Sequence, residues 1–371
     1  LLNHVDDPMR TTPPPGVQTP TILRAAASGA IGRIKAEAAV VYDSDVSNAL
    51  QMASRAEPAE RGEDSRRGGV DVDMDNVPDR VRCGDGRGAA GVVVVVGGLD
   101  PTGGAGVVRD YLTARALGAE ARIVTSALTE QSPHLPTNLP TNLAPHLAAH
   151  RGVIAIEPRD AASLERSLRI ALERDAIGAL TVKVGMLPGR AQSDAVVTAL
   201  RGFAGAVVVD PVLSSSSGGR LFDGAPSSLG PLLARATLVT PNIPEAEALS
   251  GVGIATLEEA IAAGRRLVAD GLQAVLLKGG HLAGALATDV LLTRTGESEV
   301  AQETQVTEIR FDVPRAPVGK VRGTGCALGT AIAVELSRGA PLVEAIRRAK
   351  AWLTRALAAT VEIGGERHFG P

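Results

Sequence analysis

The run Val92-Val93-Val94-Val95-Val96, closed by Gly97-Gly98, does most to restrict how this chain can fold. Side chains branched at Cβ are stiff at χ1 and suit a strand. A strand with no polar alternate has apolar neighbours on both faces, as the inner strands of a parallel sheet do. Similar apolar runs recur at 179–184, 206–209, 238–240 and 274–277, and a further strand is expected at 122–128. Helical spacing of apolar residues falls between them, at 112–117, 161–173, 193–200, 245–249 and 257–269. Strands alternating with helices predict an α/β fold, a mainly parallel sheet covered on both faces. Residues 289–293 and 307–311 read as later edge strands able to pair antiparallel, and 327–361 reads as helix almost throughout.

Residues 1–89 have a different character. They contain Pro13-Pro14-Pro15 and the charge cluster Glu60-Arg61-Gly62-Glu63-Asp64. Beyond a weak helical pattern at 22–39 they show no sustained periodicity, so a mostly disordered and dispensable extension is expected there. The domain proper is expected over 90–371. Within it, 133–152 is Pro-rich and repeats Pro-Thr-Asn-Leu at 136–139 and 140–143, the mark of a surface insertion.

Composition removes several classes of function. A net charge of -3 over 371 residues gives no footprint for nucleic acid or an anionic membrane. Aromatic residues are 2% of the chain, too few for a base-stacking surface. Two cysteines, Cys83 and Cys326, make neither a disulfide framework nor a zinc site by themselves. No apolar stretch is long enough to span a bilayer, and the first residues lack the pattern of a secretory signal. A soluble cytoplasmic protein is expected.

Several loops could carry chemistry. Asp100-Pro101-Thr102-Gly103-Gly104-Ala105-Gly106 follows the first strand and precedes a helix, where α/β proteins bind ligands. The same residues would also make a tight strand-to-helix turn. Arg322-Gly323-Thr324-Gly325-Cys326-Ala327 is a glycine-rich loop running into a helix. Its successive N–H groups form an anion site, and a thiol in that first turn is expected to have a lowered pKa. Cys326 reads equally as a small buried residue. Asn242-Ile243-Pro244-Glu245 opens a helix, where Glu245 either favours the dipole or holds a cation. Asp210-Pro211 and Lys278-Gly279-Gly280-His281 end further strands. A basic group, acidic cation ligands and an anion loop in one crevice are the parts phosphoryl transfer needs.

At these residues the chain resembles the hydroxymethylpyrimidine/phosphomethylpyrimidine kinases of thiamine biosynthesis, within the ribokinase-like superfamily. The resemblance spans about 92–359. It rests on Gly98 to Gly106, Ala127-Leu128-Thr129-Glu130-Gln131, Lys183-Val184-Gly185-Met186-Leu187, Val209-Asp210-Pro211-Val212, Thr240 to Glu247, Lys278 to His281 and Gly323 to Cys326. It implies a three-layer α/β/α sandwich that uses Mg-ATP on a small pyrimidine. The substrate would be 4-amino-5-hydroxymethyl-2-methylpyrimidine and then its monophosphate. The family's pyrimidine pocket corresponds to Gly98, Asp110, Gln131, Met186 and Val212, and Gln131 could pair with the aminopyrimidine edge. Gly323, Thr324, Gly325 and Cys326 would be catalytic, with Cys326 as base. Asp210, Asn242, Glu245 and Lys278 would serve the nucleotide, with Asp210 and Glu245 at Mg²⁺. A homodimer is expected, with no nucleic acid or membrane as partner. A pyridoxal/pyridoxine kinase on the same scaffold and a non-catalytic pyrimidine sensor are the alternatives. The chain departs from the family at Arg322, often His there, at Leu99, usually Ser or Thr, and at Ser132-Pro133, usually Asn-Thr.

Overall fold

The computed structural model describes residues 91–131, 153–173, 180–216, 218–281, 285–297, 304–316, 321–363 and 366–369. All of them lie in one compact unit, Val70–Gly370. The expected extension at 1–89 and the Pro-rich stretch at 133–152 lie outside the described residues.

The first strand, β1 (Val92–Leu99), sits inside a nine-stranded sheet. The others are β2 (Glu120–Gln131), β3 (Val153–Pro158), β4 (Leu180–Val184), β5 (Val207–Val209), β6 (Leu238–Val239), β7 (Ala274–Leu277), β8 (Leu286–Glu297) and β9 (Thr304–Pro314). Their order is β3-β2-β1-β4-β5-β6-β7-β8-β9. From β2 to β7 neighbouring strands are parallel. The flanking pairs β2–β3, β7–β8 and β8–β9 are antiparallel.

The valine run explains the layering. Val93 and Val95 point to one face and Val94 and Val96 to the other, and all four are fully buried. Full burial of such a side chain is worth about 1.5–3 kcal/mol, so each strand of this kind contributes to two cores at once. On the first face lie α1 (Gly106–Ala116), α7 (Thr324–Ser337) and α8 (Leu342–Ala358). On the second lie α2 (Ala161–Glu173), α3 (Arg190–Ala199), α4 (Gly230–Arg235), α5 (Ile243–Ser250) and α6 (Leu257–Ala269). This is the three-layer α/β/α sandwich that the resemblance implies.

Some boundaries differ from the sequence reading. Helix α1 begins at Gly106, well before 112, because the loop glycines lead straight into it. Strand β3 was not expected; it pairs antiparallel with the end of β2 and forms a sheet edge. The C-terminal region divides at Gly339, which has φ 80°, and Pro341 precedes α8. Beyond it lies a small antiparallel pair, β10 (Val361–Ile363) and β11 (Glu366–His368). Among the described residues no helix is long and apolar enough to cross a membrane.

Candidate active site

The carboxyl ends of β1, β4, β5, β6 and β7 open onto one cleft of about 870 Å³. The chain leaves the sheet there through the loops singled out in the sequence, the placement expected for ligands in parallel α/β sheets.

One wall of the cleft is apolar. Gly98 lies so close to Met186 that an added Cβ would sit 2.9 Å from the Met186 sulfur. Val212 and Leu221 pack with Met186, and Ser126 Oγ donates to the Met186 carbonyl at 2.7 Å. Gln131 is the last residue of β2, its backbone opposite Val153. Asp110 lines the cleft from α1 but is buried, and its carboxylate is bonded within the protein. Lys183 donates to both its oxygens, at 2.8 and 3.0 Å, and Thr330 Oγ1 donates to Oδ1 at 2.8 Å.

The glycine loop is built for an anion. Gly323 is the N-cap of α7 with φ 74°, a conformation that favours glycine. A Cβ there would also lie 2.3 Å from the Gly104 carbonyl oxygen, so the two glycine loops pack backbone to backbone. The first intrahelical bond runs from Ala327 N–H to the Gly323 carbonyl at 2.9 Å. The amides of Thr324, Gly325 and Cys326 therefore precede the helix ladder and are available to a ligand. Gly325 faces the cleft chemistry: a Cβ on it would lie 3.2 Å from Lys278 Nζ and 3.7 Å from Asp210 Oδ2.

Lys278, at the end of β7, joins the acidic groups. Its ammonium is 2.6 Å from Asp210 Oδ1 and 3.9 Å from Glu245 Oε2. Burial alone would raise Asp210, but Lys278 and Lys183 hold its carboxyl below the ordinary value. Burial pushes Glu245 up to about 7, with Asp210 adding to the rise and Lys278 and Asn242 opposing it. Asn242 and Glu245 also form a reciprocal cap on α5: Glu245 N–H donates to Asn242 Oδ1 at 2.9 Å, and Asn242 N–H donates to Glu245 Oε2 at 2.8 Å. Among the described residues no group of three or more His, Cys, Asp or Glu could hold a metal alone.

Cys326 lines the cleft and is partly exposed. Its position at a helix N-terminus predicts a thiol below its ordinary pKa, and the structure reverses this. Burial pushes it up to about 11, and the Asp110 and Asp210 carboxylates add to the rise. Lys183 and the Gly106 N–H oppose it without overcoming it. The helix was the only field visible in the sequence; the carboxylates come from elements far away in the chain.

Two contributors were not assigned from sequence. Lys183 reads as part of an apolar run, and only its pairing with Asp110 73 residues earlier gives it a place in the cleft. Arg322 spans the loops: its Nη2 donates to Asp100 Oδ2 at 3.0 Å and its Nη1 to Thr102 Oγ1 at 3.3 Å.

Amides converging beside an ammonium, with the remaining charge held in balanced pairs, suit phosphoryl transfer, where positioning and charge neutralisation dominate. On this sandwich they define a ribokinase-like kinase. A family model described as phosphomethylpyrimidine kinase matches residues 100–371. The chain is 36% identical over 286 residues to the hydroxymethylpyrimidine/phosphomethylpyrimidine kinase of Salmonella typhimurium, covering 75% of this chain and 95% of that one. A solved phosphomethylpyrimidine kinase from Clostridium difficile superposes with TM-score 0.53 at 27% identity, covering 72% of this chain and 99% of that one. An ADP complex of Bacillus subtilis pyridoxal kinase shares the fold, with TM-score 0.60 at 23% identity over 76% of this chain and 98% of that one. The chain belongs to the phosphomethylpyrimidine kinase family and is a phosphotransferase.

Proposed function

We propose that this kinase transfers the γ-phosphoryl group of ATP to the hydroxymethyl group of 4-amino-5-hydroxymethyl-2-methylpyrimidine, and then to the resulting monophosphate. The observation that carries the reading is the meeting of the Gly323–Cys326 loop with Lys278 and Asp210 at Gly325, in the same cleft as the Gly98–Met186–Val212 wall. The wall offers a flat apolar surface for a pyrimidine ring, and Gln131, the last residue of the neighbouring strand β2, is a residue type whose amide can pair with the ring's polar edge. The loop amides then receive charge as it develops on the transferring group. Lys278 neutralises a phosphate oxygen from the other side of Gly325. Cys326, as thiolate, takes the proton of the attacking hydroxyl.

A divalent cation such as Mg²⁺ would neutralise the β- and γ-phosphate oxygens of bound ATP. Asp210 and Glu245 suit it, since hard oxygen donors are what it requires and phosphates and water supply the rest. Both Lys278 and Thr240 bond Asp210 through Oδ1, while Oδ2 faces the anion loop. Asn242 shapes this side by capping α5. A homodimer acting in the cytoplasm completes the reading, and light scattering tests the assembly.

The test is ATP turnover with hydroxymethylpyrimidine, its monophosphate and pyridoxal in parallel. The pyrimidines should show the higher kcat/KM, because a site built to pair with a polar edge strongly rejects an analogue lacking it. Equal or reversed values would assign the protein to the pyridoxal kinases. ATP-independent binding without turnover would make it a sensor.

A further inference from the structure

We infer that Arg322 holds the phosphate of the phosphomonoester substrate, and so sets how well this chain performs the second transfer relative to the first. The inference rests on the two-step reading above and asks what the second step adds to the site. In the first transfer the acceptor is a neutral hydroxyl. In the second it is a phosphate monoester carrying about 1.5 to 2 negative charges at neutral pH. That charge must lie between the ring pocket and the anion loop, because the acceptor oxygen has to reach the γ-phosphorus.

Arg322 is the cation that lines the cleft at that junction; Arg109 packs against Gly323 and donates to the Gly103 carbonyl at 3.4 Å but is not part of the lining. Arg322 immediately precedes the N-cap Gly323, and it lines the cleft together with Gly98, Asp100 and Cys326. Its guanidinium reaches across to the loop that follows β1, where Asp100 Oδ2 and Thr102 Oγ1 accept from its two terminal nitrogens. The Asp100 carboxylate is itself fixed, since Thr102 donates to Oδ1 through N–H at 3.0 Å and through Oγ1 at 2.8 Å. The guanidinium also lies 3.6 Å from where a Cβ on Gly104 would be, so that glycine leaves the space it occupies. It is thus oriented before any ligand arrives. Five N–H donors in a rigid fork let one guanidinium serve a carboxylate and a phosphate together.

The other cations lining the cleft have different places, and Arg315 donates to the Gly280 and Leu286 carbonyls at 2.8 and 3.4 Å. Lys183 is fully buried against Asp110. Lys278 stands at Asp210 and Glu245. Lys350 is tied to Asp289, 2.6 Å away, and to the Ala287 carbonyl on β8. None of these bridges the ring-side loop and the anion loop as Arg322 does.

The test compares kcat/KM for the hydroxymethylpyrimidine and for its monophosphate in wild type, Arg322→Gln, Arg322→Lys and Arg322→His, each first confirmed folded by its melting curve. The ratio of second to first transfer should fall about 10- to 100-fold in Arg322→Gln, the range for losing a charged hydrogen bond. Arg322→Lys should recover part of the ratio. In Arg322→His the ratio should drop further between pH 6 and pH 8 as the imidazole loses its proton, beyond the change that the phosphate's own titration near pH 6 gives in Arg322→Lys. If Arg322 only ties the two loops together, both transfers fall in step and the ratio stays at its wild-type value, which overturns the inference. A wild-type protein that phosphorylates neither pyrimidine overturns the functional reading itself, and the inference with it.

Discussion

The Lys183 ammonium lies 2.8 Å from Asp110 Oδ2, and neither side chain is more than 1% exposed. A lysine is almost never fully buried unless it is paired. This pair joins inner strand β4 to α1, and Thr330 of α7 donates to the same carboxylate. Two glycines make room for the lysine: a Cβ on Gly185 would lie 2.9 Å from its Nζ, and one on Gly329 would lie 3.5 Å from its Cε. Lys183→Met strands a buried carboxylate and should cost about 3–5 kcal/mol in urea unfolding. The double replacement of Lys183 by Met and Asp110 by Leu should cost less than the single one, because no charge is left unpaired. A single variant within about 1 kcal/mol of wild type would show that the pair contributes little, as exposed pairs do.

Glu245, raised by burial, should give the protein a pH-dependent stability. Its folded pKa of about 7 lies above the ordinary 4.5, so the folded state binds more protons than the unfolded state between those values. Stability should therefore be highest below about pH 4.5 as far as this group is concerned, and should fall as pH rises to about 7. The expected loss is about 2–3 kcal/mol across that window. Glu245→Gln removes the titration, so the stability difference between wild type and variant should change between pH 5 and pH 8. A constant difference would show that Glu245 is ionised throughout.

The two loop glycines should respond differently to a methyl group. At Gly323, φ 74° and the nearby Gly104 carbonyl both oppose a Cβ, so Gly323→Ala should lower the melting temperature. At Gly325 the Cβ would meet Lys278 Nζ at 3.2 Å, and the backbone is already helical. Gly325→Ala should melt near wild type and yet lose kcat, by about 10²–10³-fold if it displaces the group that the amides stabilise. Equal melting and equal kcat would remove Gly325 from the site.

What could be read from sequence follows from how local each signal is. The valine run of β1 predicts its own burial on both faces, because every residue in it reports the same environment. The helix start at Asn242 to Glu245 is equally local and legible, although the reciprocal cap between those two residues, three apart, emerges only from the structure. Strand β3 escaped because it is short, follows the Pro-rich stretch and takes its identity from pairing with β2. Lys183, Thr330 and Arg322 act through partners 73, 220 and 222 residues away, and nothing in their own neighbourhoods specifies those partners. The Cys326 thiol escapes for the same reason, since helix position is local while the burial that raises its pKa, and the carboxylates that add to the rise, are set by distant parts of the chain.

That thiol separates a base from a packing residue. With a pKa of about 11 in the free protein, Cys326 is almost entirely protonated at neutral pH. A base of this kind is strong when it forms but rarely present. The pH dependence of kcat/KM reports the free enzyme, so kcat/KM should rise with pH through the neutral range. Alkylation of Cys326 should be slow at pH 7 and quicken about tenfold for each pH unit, since the thiolate is the nucleophile. Bound substrate should protect it. Cys326→Ala should lower kcat by about 10²–10⁴-fold, the usual contribution of a positioned base. Its KM values should change little, because the loop amides and the Gly98–Met186 wall remain. Cys326→Asp should retain more activity than the alanine variant, since a carboxylate can take the same proton. Should the alanine variant stay within about threefold of wild type, Cys326 is a small residue packed at the helix start, and the proton of the attacking hydroxyl leaves by another route.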